Sequence, residues 1–281
     1  MNRTSADVKS YRDAILALYA RAQENKEILF RGQHNAEWSL ISGLGRDPIS
    51  RQMDYKSRTR FQMELIEDFR RRCITNEILD AKVLESNDIA LRIAQHHGLP
   101  TLRLDWTSSY YVAVAFAFNI FEKESVGQSI VRVWSLDASR FQQGALQLMR
   151  HYEPGNAAGD PDDAVLDRYY AQPDSVRLEM YCDSTNRRLN RQSGAFTECK
   201  HEVRTLDEYI LGDTYGKYFP ERTLTWVDMH GTSEAEAIRD LEYMGIDPAR
   251  LLADLGGAAI AARNRLLRRS FSLATSAGSS S

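Results

Sequence analysis

Two polar corners of the chain carry side chains that could hold or polarise a ligand. One is Arg31-Gly32-Gln33, at the end of a brief apolar run over residues 28–30. An arginine fork matches phosphate or carboxylate, and a glycine beside it lets backbone approach a ligand closely. The other is Thr107-Ser108-Ser109, directly after residues 102–106. A strand that turns into a helix there would aim hydroxyls and N–H groups at one spot, a setting that suits an anion. Each corner also has a plainer reading. Arg31 could pair with a surface carboxylate, and Thr107 or Ser108 could be an ordinary helix cap.

Other chemistries find less support. His96 and His97 are adjacent, so on a helix they point in different directions, and His34, His151, His201 and His230 are isolated. No Gly-rich phosphate loop, HExxH pair or GxSxG elbow occurs. Asp162-Asp163 falls in a loop-like stretch and reads as solvated. Cys73, Cys182 and Cys199 are too few and scattered for a disulfide framework or a zinc site, which fits a reducing, cytoplasmic setting. The net charge of −3 argues against bulk attraction to nucleic acid, although Arg70–Arg72 and Arg187, Arg188 and Arg191 could form local phosphate tracks. No run approaches membrane-span length, and the first fifteen or so residues lack a secretory apolar core, so no membrane partner is expected.

The elements that must position these corners follow from periodicity. Residues 8–24 read as an amphipathic helix, with Val8, Tyr11, Ile15, Leu18 and Tyr19 at helical spacing. Residues 28–30 read as a strand entering a loop at Arg31, and residues 38–41 as extended. A helix, or two, is predicted over 57–84 and another over 87–95. Residues 102–106 predict a strand and the apolar run from Tyr110 a helix. Residues 129–136 alternate as a half-buried strand does. Residues 142–173, rich in Gly, Ala, Asp and Pro, read as an irregular excursion. Strands are expected after Gly194 and over 224–227. Residues 203–211 fit a strand or a short helix. Ser233 and Glu236 form a capping-box pattern for a helix that Gly245 closes.

The chain resembles the FRG domain family on quotable motifs. Phe30-Arg31-Gly32-Gln33 with Trp38-Ser-Leu matches the opening signature. Gln95-His-His-Gly-Leu-Pro-Thr, Leu104-Asp105-Trp106-Thr107 and residues 113–117 match the central one. Asn190-Arg191-Gln192-Ser-Gly-Ala-Phe196 is similar to a later Q-x-G-x-F element, and residues from Gly245 to the family's C-terminal helix. The family usually has arginine directly after the threonine of the central motif. Here Leu102 intervenes and the arginine is Arg103, which a one-residue shift would turn to the other face of a strand; it is assigned no role.

A second resemblance is to ADP-ribosyltransferases of the arginine–serine–glutamate type. It implies an α+β fold, a split mixed sheet flanked by helices, formed by one domain over residues 1–269. Helical residues of about 50–93 and irregular ones of about 142–175 would be insertions, and 270–281 a disordered tail. It also implies NAD as substrate. Phe30, Arg31, Gly32, Gln33, His97, Asp105, Trp106, Thr107 and Ser108 would bind it, and Arg31, Thr107, Gln192 and Glu202 would carry catalysis. The third position holds Gln192, which can hydrogen-bond a ribose but cannot act as a carboxylate base; Glu198 and Glu202 lie just downstream and could serve in its place.

Three readings therefore stand. The first is an NAD-dependent ADP-ribosyltransferase, a bacterial toxin or phage-defence effector acting on a nucleic-acid or protein acceptor, with an antitoxin or inhibitor protein as a further partner. The second is a non-catalytic nucleotide or nucleic-acid binding module. The third is structural, with Arg31, His97 and Asp105 as a buried polar network.

Overall fold

The computed structural model describes residues 8–121, 126–157, 159–172, 174–180, 194–200, 205–252 and 257–262. Ser10 caps α1 (Tyr11–Glu24) by accepting from the Asp13 N–H, and β1 (Val8–Lys9) precedes it. Then come β2 (Ile28–Gln33), the short α2 (Gly43–Arg46), α3 (Tyr55–Thr75), α4 (Asn87–His96), β3 (Arg103–Thr107) and α5 (Tyr110–Ala117). They are followed by β4 (Ile130–Asp137), α6 (Ala138–Tyr152), α7 (Pro154–Ala157), α8 (Asp162–Ala171), β5 (Val176–Met180) and β6 (Gly194–Cys199). The last elements are α9 (Leu206–Leu211), β7 (Leu224–His230), α10 (Glu234–Tyr243) and α11 (Pro248–Leu252).

The seven strands form one mixed sheet in the order β1-β7-β4-β2-β3-β6-β5. β1 runs parallel to β7, and every other neighbouring pair is antiparallel. The α+β class is thus as expected. Helices cover both faces. Leu29, Leu104, Trp106, Trp134 and Leu136 pack with α6, α8 and α9 on one side. Ile28, Phe30, Val131, Val133 and Met229 pack with α1, α5 and α10 on the other. A smaller core, with Ile66, Cys73, Ala90 and Leu91, joins α3 to α4. Burial of this apolar surface is the main stabilising term.

Pairing is uneven. β2 and β4 are in register over six positions, from Ile28↔Asp137 to Gln33↔Arg132. β2 and β3 meet at one, Phe30↔Thr107. The gap that opens beyond it is where the candidate site lies.

Several local expectations are corrected. Arg31 and Gln33 lie within β2, because β4 supplies partners through Gln33. Residues 38–41 form no strand. Residues 142–173, taken as irregular, are largely the helices α6, α7 and α8; Asp137 caps α6, and Phe141, Leu148 and Met149 are buried beneath it. β4 is buried on both faces, against the half-buried expectation, because its arginine and serine are sealed with its apolar residues. Residues 206–211 are helical, under a Thr205 cap. Ser233 makes no side-chain cap. Gly245 does close α10, at φ +72°, while the Ile246 N–H reaches back to the Leu241 carbonyl at 2.7 Å.

Candidate functional site

Strand alternation sorts the candidate residues before any contact is considered. On β2, Phe30 and Gly32 face α5, while Arg31 and Gln33 face the opposite side, beside Trp134. On β3, Thr107 shares the side of its partner Phe30, while Trp106 lies on the Arg31 side. Arg31 and the Thr107 hydroxyl therefore stand on opposite faces at one point of the sheet.

Arg31 bridges the gap. Its Nη1 donates to the Asp105 carbonyl at 2.6 Å, a bond made where the β2–β3 ladder has ended. Its Nε is buried and has no hydrogen-bond partner among the described residues. Burial pushes the guanidinium pKa down to about 10; Asp105 opposes this shift and the nearby positive charge of Arg46 adds to it. Arg31 is charged at neutral pH, though less comfortably than in water. Arg46, at the end of α2, is an exposed residue whose guanidinium lies 5.9 Å from the Trp38 ring, and desolvation lowers its pKa as well. Trp38 in turn meets His34 edge-on at 4.3 Å. A cation with an unmet donor and a second positive charge acting on it suits a doubly anionic group.

The rest of the opening motif is structural in its contacts. Phe30 is fully buried and lies 5.9 Å from Tyr110, edge to face. A Cβ on Gly32 would come within 1.9 Å of the Ala113 carbonyl oxygen and 2.5 Å of the Ala117 nitrogen. This glycine serves the close approach of α5 to β2, whereas the sequence suggested approach to a ligand. Buried Gln33 accepts from Trp134 Nε1 at 2.5 Å and donates to the Ser39 carbonyl at 3.3 Å.

In the central motif, buried Trp106 donates from Nε1 to Thr197 Oγ1 at 2.9 Å. Thr107 is buried, and its Oγ1 accepts the Ser109 N–H at 3.1 Å. The helix cap is Ser109, accepting from Val112 N–H at 3.4 Å, in place of the expected Thr107 or Ser108; Ser108 is exposed. Asp105 is exposed, and its Oδ1 accepts from the Gln95 side-chain amide at 2.6 Å, while Thr101 Oγ1 donates to Gln95 Oε1 at 2.9 Å. His97 is an exposed C-cap of α4. The supposed buried network of Arg31, His97 and Asp105 is thus corrected, since two of its members face solvent.

Arg103 faces α4, ion-paired with Asp88 at 3.1 Å and lying 3.5 Å from Glu179 and 3.6 Å from Glu198. Glu198 also accepts from the Tyr55 hydroxyl at 2.8 Å. Gln192, Glu202, Arg187, Arg188 and Arg191 lie outside the described residues. Arg70, Arg71 and Arg72 pair with Glu67 and Asp68 on their own helix, the ordinary fate of a charged face. Among the described residues no three His, Cys, Asp or Glu side chains gather closely enough to hold a metal, and no helix is long and apolar enough to cross a membrane.

What the sheet does bring together is motif ends. Phe30 pairs with Thr107, and Thr107 with Gly194, so three sequence signatures meet in one cross-strand row. Arg46 and Gln95 are participants that the site reasoning missed. For Arg46 the available signal was its place directly before Asp47-Pro48; for Gln95 it was membership of the central motif.

An α+β domain whose motifs converge on a nearly broken seam between β2 and β3 is the class defined by these observations. The model of the FRG domain matches residues 26–125, and the chain carries an FRG domain there. That segment holds Arg31, Arg46, Asp105 and Thr107, and ends before Gly194. No curated protein and no solved structure matches the chain.

Proposed function

We propose that the chain is an NAD-dependent ADP-ribosyltransferase whose dinucleotide is held at the seam between β2 and β3. The observation that carries the reading is the row Phe30–Thr107–Gly194, which sets the arginine, hydroxyl and Q-x-G-x-F motifs on three adjacent strands. A split mixed sheet flanked by helices is what the resemblance implies. Arg31 and Arg46 would hold the diphosphate, the unmet Arg31 Nε–H being the donor that gains most. In the reaction the nicotinamide–ribose C–N bond breaks, nicotinamide leaves with the bonding pair, and an acceptor nucleophile bonds to the ribose carbon as its proton departs. Binding that fixes both halves of NAD across the breaking bond, together with hydrogen bonds to the oxocarbenium-like ribose, would supply the rate. Gln192 or Glu202 would occupy the third position. The acceptor would be a nucleic acid or a protein, and the effector would work in the cytoplasm, restrained by an antitoxin or inhibitor protein.

The test is incubation of the full chain with labelled NAD and lysate, with nuclease and protease arms. Transfer to an acceptor, lost in Arg31→Ala and in Arg46→Ala while circular dichroism is unchanged, is the expected result. Undiminished transfer in Arg31→Ala would sink the proposal. One observation favours the second reading, a non-catalytic nucleotide or nucleic-acid binding module: the Thr107 hydroxyl is buried and already engaged with Ser109. NAD binding without nicotinamide release would select it.

A further inference from the structure

The hydrogen bonds around Gln95 run in one direction, toward Arg31. The Arg103 N–H donates to Thr101 Oγ1 at 3.2 Å, which leaves the threonine's own proton for Gln95 Oε1, 2.9 Å away. That fixes which way round the Gln95 amide lies. Its Nε2 then donates to Asp105 Oδ1 at 2.6 Å, and the Asp105 main-chain carbonyl accepts from Arg31 Nη1 at 2.6 Å. We propose that Gln95 is a positioning residue for the anion site, acting through Asp105 to aim the Arg31 guanidinium. This role rests on the reading of Arg31 and Arg46 as holders of the diphosphate.

Asp105 serves Arg31 with two separate groups. Its carbonyl fixes where one arm of the fork points, and its carboxylate opposes the fall in the Arg31 pKa that burial causes. An amide carries no charge, so Gln95 holds that carboxylate without cancelling its pull on Arg31, as a lysine or arginine in its place would do. Thr101 is the second anchor. It is buried, and its carbonyl accepts the Leu44 N–H at 3.0 Å, two residues before Arg46. α2 packs closely there, since a Cβ on Gly43 would come within 3.2 Å of Pro100. One side chain thus connects the strand that aims Arg31 with the helix that carries Arg46. α4 is itself held from behind. Ala90 and Leu91 share a core with α3, and Gln62 of α3 accepts the Leu102 N–H at 2.7 Å. Gln95 therefore projects from a fixed support, as a residue that sets the geometry of another must.

The test is calorimetric titration of the full chain with inorganic pyrophosphate at about pH 8, where free carboxylates are ionised, alongside thermal melting. Gln95→Glu keeps the side chain's length and still accepts from Thr101, but it sets a carboxylate against Asp105. It should weaken pyrophosphate about tenfold, the order of one hydrogen bond to a charged group. The double variant Gln95→Glu with Asp105→Asn exchanges donor and acceptor across the same contact and leaves one carboxylate in the pair. It should restore affinity to within about threefold of the unaltered chain. Unchanged affinity in Gln95→Glu, with or without a lowered melting temperature, would overturn the proposal and leave Gln95 a role in the fold alone. So would a double variant no better than the single one. Arg31→Ala keeps this outcome apart from the site itself. If Arg31→Ala abolishes pyrophosphate binding while Gln95→Glu does not, the anion site stands and only the role of Gln95 falls. Undiminished binding in Arg31→Ala, or none by the unaltered chain at tens of millimolar, would remove both.

Discussion

Two arginines on neighbouring strands and on one face of the sheet have been put to opposite uses. Arg132 on β4 is 1% exposed and grips Asp228 of β7 with two bonds of 2.6 Å, its guanidinium 4.7 Å from the Trp134 ring and 4.9 Å from that of Trp226. Arg31 on β2, beside the same Trp134, has among the described residues one carbonyl partner, an unmet Nε–H and a second arginine nearby. The difference comes from the ladders. β4 pairs with β7 over seven positions, so a carboxylate can be placed opposite Arg132, whereas β2 pairs with β3 at only one. A complete ladder encloses its cation. A broken one leaves its cation facing a gap, where a ligand can complete the coordination.

The sealed pair offers the largest effect. Asp228→Ala leaves Arg132 buried without its carboxylate, and a loss of about 3–5 kcal/mol is expected in urea unfolding. Replacing both, Arg132→Met with Asp228→Leu, should recover most of that loss, since matched apolar side chains can take over a buried pair. A double variant as unstable as the single one would mean that this charge pair, and not just its burial, holds β4 to β7. Neither variant should alter NAD binding at the seam, which keeps the two arginines distinguishable.

Next comes Gly32, which joins the two regions. An added Cβ would collide with the α5 backbone, so Gly32→Ala should cost about 2–3 kcal/mol as helix and strand move apart. Thermal melting checks this. Because α5 starts directly after the Thr107–Ser109 corner, ligand binding at the seam should weaken as well. Full activity with lowered stability would separate the packing role from the site.

Arg31→Ala is the third, and it reverses the balance of the first. Among the described residues one hydrogen bond is lost and a desolvated cation is relieved, so stability should change by about 1 kcal/mol or less. NAD turnover should disappear. A fall in stability comparable with that of Asp228→Ala would instead mark Arg31 as a second structural arginine.

How much of this contrast could be read in the sequence depends on distance along the chain. Phe30-Arg31-Gly32-Gln33 and the central motif announced themselves through residue types, and the helix from Tyr110 through its apolar run. Gly245 as a helix terminator needs only local backbone chemistry, and it was legible. Arg132 was not: an arginine in an alternating strand reads as solvent-facing, and its burial depends on Asp228, nearly a hundred residues later. The helices within residues 142–173 were hidden because Gly, Asp and Pro there lower local propensity, while buried Phe141, Leu148, Val165 and Tyr169 outweigh it through packing. The single-residue seam between β2 and β3 has no local signature at all, and neither does the opposition of Arg31 to the Thr107 side chain across the sheet.

The smallest effect tests which carboxylate belongs with Arg31. Glu198 lies close behind Gly194 on β6 and pairs in register with Arg103, at the far end of β3 from Thr107. It is engaged by the Tyr55 hydroxyl at 2.8 Å and lies 3.6 Å from Arg103, with its side chain 19% exposed. Glu198→Gln keeps the shape and the Tyr55 hydrogen bond and removes only a charge that Arg103 shares with Asp88 and Glu179. Stability should fall by less than about 1 kcal/mol, the range of ion pairs that are not fully buried. NAD turnover should persist, because this carboxylate is tied to the α3–α4 side of the sheet and stands several residues from the Phe30–Thr107–Gly194 row. Loss of turnover in Glu198→Gln with retention in Glu202→Gln would reverse that assignment. The catalytic centre would then lie on the Arg103 face, and Arg31 would join Arg132 as a residue that holds the sheet together.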